Sequence, residues 1–222
     1  MLKKILLALL AVVAVFALVV ATRPAKFHIE RSAEIAAPPA VVFALIDDFH
    51  AWQGWSPWEK LDPNMKREHS GAPKGKGAAY SWSGNEDVGS GSMAISESTP
   101  PERVQIQLEF KEPWQASNVT TFSVEPAAQG SKVTWSMDGE NNFGAKAASM
   151  FMDMDAMVGK DFSTGLANLG AIAEATAAKQ AEEARLAEEA KQAAEAKAQA
   201  EAAAAAGTAE PTPTTAPASV RQ

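Results

Sequence analysis

The chain has 222 residues, no cysteine and a formal net charge of -7. Without cysteine there is no disulfide, no thiolate catalysis and no cysteine-ligated metal site. The charge splits as +2 over residues 1–22, -7 over 23–174 and -2 over 175–222. An acidic middle argues against nucleic-acid binding, which needs clustered Lys and Arg.

Behind Lys3 and Lys4, Ile5–Ala21 is a run of 17 apolar residues. As a helix it spans roughly 25 Å, slightly short of a hydrocarbon core, and Leu2 and Thr22 lengthen it. Residues 1–22 are predicted to be an uncleaved transmembrane anchor. A cleaved signal peptide is the rival, with Val19-Val20-Ala21 as its cleavage site. Lys3 and Lys4 precede the run while Arg23, Lys26 and Arg31 follow it. The small positive-inside bias favours a single-pass protein with its domain on the extracytoplasmic (periplasmic) side.

From Lys26 to Ile35, Phe27, Ile29, Ala33 and Ile35 alternate with His28, Glu30, Ser32 and Glu34, the pattern of a half-buried strand. Pro38-Pro39 then opens a helix carrying Val42, Leu45, Ile46 and Phe49. After a Trp/Pro-rich loop, strands are predicted at Gly77–Ser83, Val88–Glu97, Arg103–Phe110, Asn118–Val124 and Val133–Met137. Turns are expected at Gly84-Asn85 and Gln129-Gly130-Ser131. The short connections imply an antiparallel meander. Phe143 onward reads as one helix with a stripe of Phe151, Met154, Val158, Phe162, Leu166, Leu169 and Ile172, widened by Met150 and Met157. Strand, helix, several strands and a long helix make an α+β two-layer fold.

Several phrases resemble the SRPBCC superfamily of polyketide cyclases, START lipid-transfer domains and birch-pollen-allergen-like proteins. They are ERSAEIAAPPAVVFALIDDFHAWQGWSPW (30–58), GKGAAYSWSGN (75–85), GSGSMAI (89–95), WSMDGENNF (135–143) and FMDMDAMVGKDFSTGLANL (151–169). The resemblance covers residues 26–174 and is nearest to membrane-anchored, polyketide cyclase/dehydrase-like members. It implies a helix-grip fold, in which a seven-stranded antiparallel curved sheet wraps a long C-terminal helix around an apolar pocket. The superfamily has no shared catalytic motif, so the resemblance supplies no catalytic residue and no cofactor.

Candidate ligand-binding residues follow from this layout. Methionine is a soft, polarizable wall, and Met150, Met154 and Met157 are expected to line the cavity while Leu166, Leu169 and Ile172 close the core. The alternative for the methionines is ordinary core. Trp52, Trp55 and Trp58 in WQGWSPW either plug the open end of the sheet, form the pocket mouth (Trp55 and Trp58 above all) or dip into the bilayer interface. Tyr80, Trp82 and Trp135 sit in strands, as core or as pocket wall. Tyr80, the sole tyrosine, offers a hydroxyl to an apolar cavity. Asp161 flanks the helix stripe, either as a solvated edge or as a general acid or base in the pocket. Asp138, Glu140, Asn141 and Asn142 are explained by turn formation and helix capping. His28, His50 and His69 lack metal-ligand spacing, and no metal site, nucleophile–base pair or phosphate loop is visible.

More than half of residues Ala173–Ala206 are alanine, most of the rest Glu, Lys, Gln and Arg. Helix propensity is therefore very high. Such composition invites a coiled-coil assignment, yet Leu186 is the only large aliphatic residue in the stretch, and coiled coils need sustained apolar a and d positions. Residues 175–206 are read as a solvated helix, a spacer or a dock for a protein partner. Residues 207–222 are read as a disordered Thr/Pro tail. The expected function is binding of a hydrophobic small molecule or lipid at the membrane surface, without a cofactor. The alternatives are a pocket-based cyclase or dehydratase, and a non-catalytic envelope interaction module with a filled pocket.

Overall fold

A computed structural model describes residues 1–207. Two compact units divide at Ala177/Ala178. The first begins with helix α1 (Leu2–Thr22) and strand β1 (Lys26–Ile35), followed by α2 (Pro39–Ile46) and α3 (Trp52–Trp55). Strands β2 (Lys66–Gly71), β3 (Ala78–Ser83), β4 (Ser90–Thr99), β5 (Arg103–Glu112), β6 (Ala116–Ala127) and β7 (Gly130–Glu140) come next. Helices α4 (Phe143–Ala148) and α5 (Met154–Gly207) complete the described chain.

All seven strands form one antiparallel sheet in the order β1-β7-β6-β5-β4-β3-β2. Register shifts at Ser90/Gly91 and Ile95/Glu97 bend β4 against β5. The sheet and the long final helix make an α+β helix-grip arrangement, as the sequence predicts. Six of the strands are visible in apolar alternation; β2 is not. Its sequence KREHSG has no large apolar residue, because it is a sheet edge where charge discourages pairing with other chains. The expected turn at 129–131 sits slightly earlier, with Ala127 facing Gly130 across a two-residue loop.

The register sorts the sheet into two ends. At the proximal end lie Lys26 opposite Glu140, Phe110 opposite Ala116, Ser90 opposite Glu112 and Lys66 opposite Ser83. Ile35 opposite Ser131 and Gly71 opposite Ala78 mark the distal end. α5 runs from proximal to distal. Asp155 in its first turn meets Arg31, and Glu174 accepts a hydrogen bond from the Ala36 N–H at 3.1 Å.

The predicted helix from Phe143 is in fact two helices. Asn142 caps α4 by accepting from the Ala145 N–H at 2.9 Å, and Asp153 caps α5 by accepting from the Ala156 N–H at 3.0 Å. An aspartate that satisfies orphan donors restarts the chain in a new direction, so the break falls inside the methionine cluster. Gly165 lets the new helix lie close to the sheet, since a Cβ there would meet the Trp135 ring. A Cβ at Gly159 would likewise strike the Arg31 guanidinium. That guanidinium is bidentate on Asp155 at 2.9 and 3.2 Å and holds its carboxyl below the usual carboxylate range.

His28 and Asp138 face each other across β1 and β7, with Nδ1 2.7 Å from a carboxylate oxygen. The hydrogen bond to Asp138 raises the His28 pKa above its ordinary 6.5. The charged pair therefore stabilises the fold fully below about pH 6.5 and loses its contribution as pH rises through the higher folded value. An NMR titration should show His28 titrating above 6.5, and Asp138→Asn should bring it back down. Because both groups are exposed, overall stability should barely respond.

In the second unit every residue with a described side chain is exposed. Ion pairs at helical spacing, Lys179–Glu183, Arg185–Glu182 and Arg185–Glu189, lie along it. Nothing in this stretch supports a coiled coil. The expected disordered tail lies outside the described residues apart from Gly207, the last residue of α5.

Candidate functional site

Apolar side chains do not fill the sheet evenly. In the distal half, Ile35, Val104, Val124 and Val133 pack with Leu169 and Ala173 into a closed core. In the proximal half the sheet and α5 part around a cavity of about 220 Å³. Trp58, Trp82, Trp135, Phe110 and Phe162 give it aromatic walls, and Met65, Met93, Leu108, Met137 and Val158 fill between them.

Of the residues expected at the pocket, Trp58, Tyr80, Trp82, Trp135 and Asp161 do line it. Trp55 does not. It is fully buried in the core, where its indole N–H donates to the Leu45 carbonyl at 3.1 Å. Trp52, which reaches the cavity, donates to the Ile46 carbonyl at 2.9 Å. Both indoles thus satisfy carbonyls at the C-terminal end of α2, which fixes the loop that carries Trp58 and Glu59.

Met150, Met154 and Met157 also lie off the cavity wall. With the helix restarted at the Asp153 cap, Met154 and Met157 are exposed and Met150 is half-buried. Each exposed methionine stands one turn before a lining residue, Met154 before Val158 and Met157 before Asp161. The expected end of the helix does border the cavity, but through Val158, Asp161 and Phe162.

The polar side of the pocket rests on a group invisible in the sequence pattern. Tyr80 donates to Glu59 Oε1 at 2.7 Å, and Arg67 Nε donates to Glu59 Oε2 at 2.6 Å. Arg67 also holds the Met65 and Glu59 carbonyls at 2.9 and 3.0 Å. Burial, reinforced by the Glu59 carboxylate, pushes the Tyr80 phenol well above its ordinary 10.0. Glu59 and Arg67 escape the sequence reading because they come from a 3₁₀ turn and from an edge strand without apolar alternation. The only available signal is that Arg67 and His69 alternate on one face of β2, opposite Trp82 and Tyr80.

The β3–β4 loop borders the cavity on its proximal side. Asp62 accepts from the Asn85 N–H at 2.7 Å, and Trp82 donates to the Val88 carbonyl at 3.0 Å. Asp87 and Val88 are thereby held at the cavity. Trp135 is stacked on Phe162 with centroids 4.2 Å apart, yet its buried indole N–H has no hydrogen-bond partner among the described residues. Such an unmet donor costs about 1–3 kcal/mol. Among the described residues no three His, Asp or Glu side chains gather as a metal site.

No curated protein matches the chain. Solved structures with the same fold include a protein of unknown function from Staphylococcus aureus, 13% identical, with a TM-score of 0.52 over 69% of this chain and 97% of that one. A Chromobacterium violaceum protein is 16% identical, with a TM-score of 0.50 over 66% of this chain and 96% of its own. A Rhodobacter sphaeroides protein is 18% identical, with a TM-score of 0.50 over 67% and 93%. At these identities the likeness is one of fold. The family described as polyketide cyclase/dehydrase and lipid transport matches residues 26–174, about two thirds of the sequence, and the chain belongs to that family.

Proposed function

We propose that the domain binds a small hydrophobic molecule in the cavity between the sheet and α5. The observation that carries this reading is the aromatic cavity of about 220 Å³ walled by Trp58, Trp82 and Phe110. Usual ligand pockets measure about 300–1,000 Å³, so this one suits a single ring system or a short chain and is too small for a two-chain lipid. Residues 1–22 serve as the anchor and 26–174 as the binding domain on the extracytoplasmic side. Residues 175–206 are a spacer or partner helix.

Acetonaphthone and its hydrocarbon analogue ethylnaphthalene test the reading, with binding followed by quenching of tryptophan fluorescence. Both are expected to bind saturably, because the cavity wall is mainly aromatic and aliphatic. Val158→Trp should fill the cavity and remove binding of both. No binding of either compound, or binding that survives Val158→Trp, would sink the proposal.

A second reading, a cyclase- or dehydratase-type enzyme, is favoured by the half-buried Asp161 on the cavity wall. Tyr80 suits a proton-transfer role less well, since its proton is engaged by Glu59. An Asp161→Asn variant that keeps affinity for acetonaphthone but loses turnover of a polyketone would support catalysis. Unchanged turnover would remove Asp161 from it.

A further inference from the structure

We propose that the exposed apolar rim around the proximal end of the sheet docks into the bilayer interface, so that the cavity opens toward lipid. The docking rests on α1 remaining in the membrane, and the purpose of the opening rests on the ligand reading above.

Three independent observations converge on this end. The first is the tether. Only Arg23, Pro24 and Ala25 separate α1 from β1, a reach of about 14 Å even when extended. The tether is also pinned. The Asn141 N–H donates to the Ala25 carbonyl at 2.7 Å, α1 packs on α4, and Val20 is fully buried. If α1 spans the membrane, the proximal end of the sheet lies at its surface.

The second observation is which apolar side chains are left exposed. Outside residues 1–22, eight large hydrophobic side chains are exposed among the described residues. Six of them belong to this end: Trp114 in the β5–β6 turn, Phe143, Phe151, Met152, Met154 and Met157. Trp114 and Phe151 are 77% and 80% exposed, which a water-facing surface would not favour. Tryptophan prefers the headgroup region of a bilayer, and methionines adapt to disordered acyl chains. The third is the cavity, whose outermost lining residues Asp87, Val88, Phe110 and Val158 lie at the same end. Met154 and Met157 stand one turn outside it.

Because the chain has no cysteine, single-cysteine labelling tests this directly. Trp114→Cys, Phe151→Cys, Met157→Cys and the distal control Glu125→Cys are made in the full chain. Each is labelled with an environment-sensitive fluorophore and reconstituted in phosphatidylcholine vesicles containing nitroxide lipid. The three rim labels are expected to be quenched at least about threefold more than the control, as interfacial residues would be. Rim labels reached only by aqueous iodide would overturn the proposal. Labels shielded from both quenchers would overturn it in favour of a protein contact, and a chain that fails to float with vesicles would overturn it at the anchor. Acetonaphthone binding is measured on the same samples. Quenched rim labels without binding would keep the docking and remove the ligand reading; binding with rim labels in water would do the reverse.

Discussion

Trp55→Ala is expected to destabilise the folded domain by about 3–5 kcal/mol, the range for deleting a large aromatic side chain from a packed core. Trp55 has no exposed surface, and its ring stands edge-on to Phe122 and Trp135 with centroids 6.0 and 5.7 Å away. The substitution opens a large void and also leaves the Leu45 carbonyl without its indole donor. At roughly 2–4 °C per kcal/mol for a domain of this size, the midpoint should fall by about 6–20 °C. Thermal unfolding followed by near-ultraviolet circular dichroism measures it. A fall of only a degree or two would mean that the loop after α2 is not the plug these contacts describe. The comparable change at Trp58, which lines the cavity, should cost less and act mainly on ligand affinity.

Glu59→Ala is expected to cost about 2–3 kcal/mol. The Glu59 side chain is 7% exposed and the Arg67 side chain 20%. Removing one partner of a buried pair usually costs about 3–5 kcal/mol, and Arg67 recovers part of that by reaching water. Glu59→Gln offers a sharper readout, because Tyr80 is the sole tyrosine and its ionisation is visible by absorbance. The Tyr80 pKa should fall with the substitution yet stay above 10.0, since burial is the larger cause of its elevation and Glu59 the smaller. A phenol raised in the folded state adds stability that is complete below pH 10.0 and is lost as pH climbs through the folded value. The wild-type protein should therefore weaken above about pH 10, and Glu59→Gln should narrow that loss. An unchanged tyrosine titration would show that the Tyr80–Glu59 contact does not persist in solution.

Alternation and helical spacing were enough to read six strands, α2 and the stripe of α5 from Val158 to Ile172, because each buries one apolar face against the other layer. Phe151, expected to start that stripe, is exposed and lies ahead of α5. What stayed hidden had no such face. β2 is a charged edge, and Glu59 and Arg67 are polar groups joined only by tertiary contact. Tyr80, Trp82 and Trp135 were legible as pocket candidates from strand parity, and Asp161 from its place beside the stripe of α5. Trp55 was not separable from Trp58, since both lie in one irregular segment with no period to sort them. The methionines were placed one helical turn too deep because Asp153 was read as part of a continuous helix, although an aspartate before a helix is a capping signal.

The gap between the closed distal core and the open proximal cavity runs along the strands themselves, and this divides the domain's burdens. Amides around Val104, Val124 and Val133 should exchange with solvent near the rate of global unfolding, while those flanking the cavity open more readily. The two halves still share a boundary, since Trp135 and Phe162 belong both to the core and to the cavity wall. Val158 and Asp161 line the cavity while only half-buried, so they can change at less cost to the fold than those two rings.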